Sequence, residues 1–355
     1  MLGGAIPRGA IGQKKMNADK ASGAIRTTAG RERLAGIDAL RCLLAFSVVL
    51  VHTIFESGAR AAHWSEYIVT ACRFGMPCFF IAGGYLLPRR QRSNWEIFSK
   101  PVVRLSSLYL IWMTVYYIFL NLDPRHRRPF VLNQFFSDWP IYHLWFLPVL
   151  ATALVMVPLG LKYLGAALTT GLCAILALLA LATSTYHDIL HLPGIAQHGR
   201  LLAAPMFVCI GAMLARKAPR LSARTNLLLV AVFFLAMVGE EALIQHLSGA
   251  GHVMSHEFLF SSFLFGPGVF LLWRPLSHLR FTPYLARVGR LSPNIYMSHL
   301  IFIWLAVSLA RHPALPWALV LAPLAFLGAA LLSMALEWLL PRLKSHGGHY
   351  LAARP

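Results

Sequence analysis

Ten stretches of mainly apolar residues, each about as long as a bilayer is thick, follow one another along this chain. They are read at 38–55, 67–87, 102–121, 142–159, 163–183, 200–215, 225–246, 256–273, 291–310 and 315–340. Backbone N–H and C=O groups in hydrocarbon must find partners inside their own segment or in a closed barrel, and stretches of this length pair theirs as helices. The expected fold is an all-α integral membrane protein, a bundle of about ten transmembrane helices. Composition agrees: 57% of the 355 residues are hydrophobic and only 13% are charged. That is too apolar for a water-soluble domain of this length.

Charge orders the segments across the membrane, because cytoplasmic flanks of membrane helices are enriched in Lys and Arg. With the N-terminus inside, 24 of the 32 Lys and Arg residues fall on inner segments and 7 on outer ones, leaving Arg41 in the first span. Both termini are expected to be cytoplasmic, in a multi-pass protein of the inner membrane. The cluster Arg125-His126-Arg127-Arg128 is the one that runs against the rule. The net charge of +19 is spread over these flanks, where anionic lipid headgroups account for it better than nucleic acid does. Residues 1–36, rich in Gly, Ala, Lys and Arg and without the apolar core of a signal peptide, read as a disordered basic cytoplasmic tail. Residues 37–341 read as one polytopic domain and 342–355 as a short cytoplasmic tail. The five cysteines fall in apolar segments and form no C-x-x-C pair.

Ionisable groups inside a membrane helix are costly and are usually kept for function. Arg41 and His52 bracket the first span, and eleven helical residues return to within roughly 20° of the same face while rising about 16 Å. A cation and an imidazole thus share one stripe. Asp38, three residues before Arg41, lies on that stripe and can orient the guanidinium.

A second signature follows in Arg73-Phe-Gly-Met-Pro77-Cys-Phe79-Phe80-Ile-Ala-Gly83-Gly84-Tyr85, with Arg89 and Arg90 just beyond it. Then come Lys100-Pro-Val-Val-Arg104, Tyr142-His143-Leu-Trp145-Phe146 and Ser292-Pro-Asn-Ile-Tyr296-Met-Ser-His299. In this order and spacing the set resembles the membrane-bound acyltransferase 3 family over residues 34–340. It looks closest to the branch that includes the enterobacterial common antigen O-acetyltransferase.

The resemblance implies ten or so spans and transfer of an acyl group, most often acetyl from cytoplasmic acetyl-CoA, to hydroxyls of envelope sugars and similar acceptors. It also implies a first-helix motif of Arg, ten residues and His, present here as Arg41 and His52. Two positions depart from the family pattern. Many members have Arg-x-x-Arg at the start of the third span, where this chain has Pro101 with Lys100 beside it, and lysine offers a point charge with no planar fork. Gly83 stands where relatives carry a serine.

Acyl transfer asks for a base to deprotonate the acceptor hydroxyl, and a neutral imidazole suits that task near neutral pH. His52 is the candidate base, with Arg41 and Asp38 on its stripe. The phosphates of the donor ask for cations, which Arg41, Lys100, Arg104, Arg89 and Arg90 can supply from the cytoplasmic side. Arg73, His143, Trp145, Glu240, Tyr296 and His299 are the candidates for the acceptor side, the acceptor being a glycan or a lipid-linked sugar. Trp145 also reads as an interfacial anchor, and Arg89 and Arg90 as topology charges. No metal is expected: His187-x3-His191 and His252-x3-His256 have helical spacing but no obvious third ligand. Oligomeric state is left open. The rival reading is a polysaccharide or small-molecule transporter with Arg41, His52 and Glu240 as a relay in the bundle core.

Overall fold

The computed structural model describes residues 34–57, 63–87, 93–122, 142–194, 199–248, 258–309 and 315–351. Every element among them is helical. Helix α1 spans Leu34–Glu56, starting four residues earlier than the apolar stretch suggests. Then follow α2 (His63–Cys72), α3 (Gly75–Tyr85), α4 (Asn94–Asn121), α5 (Phe146–Tyr163), α6 (Gly165–Ala180), α7 (His187–Leu190), α8 (Gly199–Arg216) and α9 (Ala223–Ser248). The chain continues through α10 (Ser262–Phe270), α11 (Trp273–Leu276), α12 (Thr282–Arg290), α13 (Ser292–Leu309) and α14 (Leu315–Leu351). The basic N-terminal tail before residue 34, and Arg89, Arg90, Arg125, Arg127, Arg128, His252 and His256, lie outside the described residues.

Among the described residues, nine helices are long and apolar enough to cross a membrane, one fewer than the ten stretches suggest. The difference lies at 256–273. Gly266, Pro267 and Gly268 stand in the middle of that stretch, and it folds as the nine-residue α10, a turn at Leu271-Leu272 and the four-residue α11. Proline lacks the N–H that a helix interior needs, and glycine is a poor helix former.

The segment still runs from one end of the bundle to the other. At its start the N–H groups of Phe260 and Ser261 donate to Glu240 near the C-terminal end of α9, at 2.6 and 2.8 Å. At its close Trp273 lies against the first turn of α1, where a Cβ on Gly36 would fall 2.4 Å from the Trp273 carbonyl oxygen. Arg274 donates to the Pro219 carbonyl in the turn between α8 and α9. With this broken crossing included, α1 and α13 begin, and α14 ends, on the same side, hereafter the near face. The carboxyl end of α9 and the amino end of α8 mark the far face.

Local chemistry starts and stops these helices. Ser93 and Glu96 form a capping box at the head of α4, each side chain accepting from the other's backbone N–H. Leu164 alone separates α5 from α6, and Gly165, which opens α6 at φ +77°, takes up the change of direction in a conformation that an L side chain rarely adopts. The exposed faces of α4, α9 and α14 carry Leu110, Ile111, Leu227, Leu235, Leu327 and Leu331, surface that suits hydrocarbon and not water. The core is built around Phe80, Ile81, Phe207, Phe270 and Ile295.

Helices α3 and α8 approach backbone to backbone. A Cβ on Gly84 would fall 1.9 Å from the Val208 carbonyl oxygen, and one on Gly211 would fall 2.1 Å from that of Ile81. Small residues at a crossing permit this closeness, and in lipid close packing carries most of the helix association. Gly84→Ala or Gly211→Ala is therefore expected to cost about 3 kcal/mol, because the clash is with main chain that has no rotamer to yield. Thermal unfolding in detergent checks this. Gly171→Ala and Gly239→Ala, which meet nothing within 4 Å, should be neutral or slightly stabilising.

Candidate active site

A cavity of about 1210 Å³ opens on the near face between α3, α4, α5, α8 and α13. Arg41, Lys100, Arg104, Lys162 and Arg216 line it, and among the described residues its wall contains no aspartate or glutamate. Each cation is placed by an element end: Arg41 in the second turn of α1, Lys100 and Arg104 in the first turns of α4, Lys162 at the foot of α5, Arg216 at the last residue of α8. Asp38 Oδ1 holds the Arg41 guanidinium at 3.1 Å, as the stripe requires. Glu96 pairs with Lys100 one helical turn away at 2.8 Å. Lys162 and Arg216 are absent from the sequence-based candidates because a cation at a helix foot reads as a topology charge.

Away from the cations the wall turns apolar. Leu105, Leu108, Leu150 and Leu154 face it, and Gly83 keeps the passage open where a Cβ would come 3.3 Å from Leu150. The missing serine of the family pattern is thus a wall position in this chain. The cavity closes on Phe79, Phe146, Tyr296 and Met297.

Directly behind that closure lie three imidazoles from three elements. His52 of α1 and His143 of the short 3-10 turn Tyr142–Trp145 each have a ring centroid 5.0 Å from that of His299 of α13, and stand 6.4 Å from each other. Tyr296 lies 5.8 Å from His143 and 5.6 Å from His299, ring to ring, so one aromatic layer separates the cavity from the histidines. The Tyr296 hydroxyl donates to the His143 carbonyl oxygen at 2.5 Å. His143 and His299 are fully buried.

Their surroundings fix orientation. His299 Nδ1 donates to the Tyr296 carbonyl at 2.6 Å. Tyr116 of α4 donates its hydroxyl to the Met297 carbonyl at 2.7 Å, and its ring lies 5.2 Å from His143. Glu56, one turn beyond His52, accepts from Trp304 Nε1 at 2.9 Å, and Trp304 packs on Tyr116. Glu56 is absent from the sequence-based candidates, although its spacing of four from His52 puts it on the same helix face. Tyr116 and Trp304 are absent as well, since nothing in an aromatic residue on an apolar helix separates a site neighbour from ordinary core. Arg200, at the start of α8, lies over the Trp145 ring at 4.7 Å, and its field reaches His52.

The remaining candidates join another group of side chains. Arg73 pairs with Glu241 at 2.5 Å, both nearly buried. Glu240 accepts the Tyr186 hydroxyl as well as the two N–H groups that open the 258–277 crossing. Burial, and after it the Glu240 carboxylate, push the Tyr186 phenol upward, which keeps it a donor. This ties α9 to the helices around it. His187 bonds the Ser184 carbonyl through Nδ1 and faces Asp188 through Nε2.

An all-helical membrane bundle with a cationic cavity leading toward buried imidazoles is the class of protein that the fold and the site define. The chain matches the family described as an acyltransferase domain, acyltransferase 3, over residues 34–340, and it belongs to that family. Among curated proteins it is similar to an amino-acid racemase of Enterococcus faecalis, at 25% identity over 79% of this chain and 43% of the relative. A second amino-acid racemase of that organism is 22% identical over 70% of this chain and 36% of its own length. A serine/alanine racemase of Enterococcus gallinarum is 25% identical over 74% and 40%. The chain thus spans less than half the length of these relatives. They lend no support to the enterobacterial common antigen branch. No solved structure matches.

The buried Arg73–Glu241 pair gives a test of what those residues do. Arg73→Met alone leaves a buried carboxylate unpaired and should destabilise the protein by about 3–5 kcal/mol, whereas adding Glu241→Met should restore most of the loss. Chemical denaturation in detergent reads both. Acyl transfer that survives in the double variant assigns the pair to the fold and not to the acceptor.

Proposed function

We propose that this chain is an acyl-CoA-dependent O-acyltransferase of the inner membrane. In this reading it moves acetyl from cytoplasmic acetyl-CoA to a hydroxyl of an envelope glycan or a lipid-linked sugar. One observation carries the reading: a single cavity has five cations at its open end and, at its closed end, a tyrosine packed on two of three clustered imidazoles, His143 and His299, with His52 against them. Family membership supports the transfer chemistry. The racemase activities printed for the curated relatives belong to chains of which this one spans less than half.

With Asp38 paired to Arg41 and Glu96 to Lys100, the five cations still leave the opening net positive, and the phosphates of coenzyme A are a polyanion suited to it. In this reading the near face is the cytoplasmic side, which the bias of Lys and Arg supports. Arg41, Arg104 and Arg216 offer planar donors to the phosphates, Lys100 and Lys162 offer point charges. The leucine-lined throat suits the uncharged arm that carries the thioester. At its end the Tyr296 ring turns aside to admit the acyl carbonyl to the imidazoles. His52 takes the proton of the acceptor hydroxyl as its oxygen bonds to the carbonyl carbon. The C–S bond then breaks, and the coenzyme A thiolate leaves and recovers a proton.

The test uses the full chain in lipid nanodiscs, with acetyl-CoA as donor and isolated envelope glycans as acceptor, reading thiol release and glycan mass. His52→Ala should lower kcat by about 10²- to 10⁴-fold with little change in the KM for acetyl-CoA. Arg41→Ala and Arg216→Ala should do the reverse, raising that KM roughly tenfold or more. Near-normal turnover by His52→Ala would remove the base from the scheme. Glycan accumulation in vesicles with no acetyl-CoA consumed would replace transfer by transport.

A further inference from the structure

The tautomer of His299 follows from its bond to the backbone. A carbonyl oxygen can only accept, so the 2.6 Å contact with the Tyr296 carbonyl puts the proton on Nδ1 and leaves the lone pair on Nε2. That nitrogen is buried and has no hydrogen-bond partner among the described residues. A basic nitrogen fixed in orientation, excluded from water and left without a donor is expensive to keep in a protein interior. Its ring occupies the middle of the cluster, with His52 and His143 both at 5.0 Å between centroids. A ring nitrogen lies about 1.2 Å from its centroid, so rotation of the His52 ring can bring facing nitrogens within hydrogen-bond range, about 2.7–3.0 Å.

We propose that His299 is the second half of an imidazole pair: its Nε2 accepts the N–H of His52 when His52 has taken the acceptor's proton. The proposal rests on His52 as the base of acyl transfer. The acceptor oxygen bonds to the acyl carbon, the C–S bond breaks, and the proton from the hydroxyl is held between the two rings until the departing thiolate recovers it. An imidazolium at the half-buried His52 would face the field of Arg200, and its N–H needs an acceptor that shares the charge. His299 supplies that acceptor, and its bond to the Tyr296 carbonyl keeps the lone pair turned inward. Tyr116 and His143 both lie at the Met297 carbonyl, at 2.7 and 3.4 Å, which holds the remaining sides of the cluster in place. His299 therefore acts through His52 and is a positioning residue.

Two substitutions separate this role from a structural one. His299→Asn keeps an N–H near the Nδ1 position for the Tyr296 carbonyl and deletes the acceptor. His299→Gln reaches the Nε2 position with an amide oxygen that accepts. With acetyl-CoA as donor in nanodiscs, the Asn variant should lose roughly 10- to 100-fold in kcat while the KM for acetyl-CoA stays within about twofold. The Gln variant should recover part of that loss. An Asn variant with kcat within about twofold of the unaltered protein overturns the pairing, and so does equal loss in both variants. Should the Asn variant fail to fold, His299→Gln against His299→Leu makes the same comparison of acceptor present and absent. Unaltered protein that releases no thiol from acetyl-CoA refutes the acyl-transfer reading instead; loss in His52→Ala without loss in His299→Asn refutes only the pair.

Discussion

The close crossing of α3 and α8 is the contact on which the rest of the bundle depends. With Gly84 and Gly211 at the crossing, two backbones meet where side chains would hold them apart. The successive residues Gly83 and Gly84 both border the cavity but approach different helices, Gly83 facing Leu150 of α5 and Gly84 the Val208 backbone of α8. A rigid wall results on one side, while α4 and α5 stand off on the other and leave the throat open. Hydrocarbon offers no hydrophobic drive between helices, so this kind of fit decides which helices pair and which leave space.

Polar groups inside such a bundle have to be matched or to have a task. Arg73 with Glu241, and Glu240 with Tyr186 and two backbone N–H groups, are matched; the first pair ties the end of α2 to α9, and the two N–H groups tie the broken crossing at 258–277 to α9. The imidazole cluster is organised differently. His299 and His143 bond to backbone carbonyls of α13, and their rings stand 5.0 Å apart. The separation into a cationic end and a neutral, titratable end follows from depth. Arginine and lysine at helix feet keep contact with water and headgroups, whereas a neutral imidazole is the one basic side chain that tolerates full burial near neutral pH.

Much of this was legible beforehand. The length and spacing of apolar stretches gave the helices, and the missing tenth continuous helix has a visible cause in Gly266-Pro267-Gly268. Arg41 with Asp38, and the pairing of Arg41 and His52 on one stripe, follow from helical periodicity alone. Lys100, Arg104 and Arg41 do share one cavity wall. Lys162 and Arg216 escaped notice because a cation at a helix foot looks the same whether it meets headgroups or a cavity. Arg73 and Glu240 were singled out for being charged in hydrocarbon; which partners they have, Glu241 for the one and Tyr186 with two backbone N–H groups for the other, comes only from the packing.

Sequence by itself determined that this chain is helical, membrane-embedded and cationic on one side, since those properties come from local pairing of the backbone and from the solvent each residue type accepts. It also marked His52, His143, Tyr296 and His299 as residues of interest, one motif at a time. Only the tertiary structure decided that they meet, with three rings from three elements within 6.4 Å of one another and a tyrosine between them and the cavity. Helical periodicity assigns a face to each residue but says nothing of which faces pack together. That choice was made by contacts such as Gly84 on α8, between residues more than a hundred positions apart.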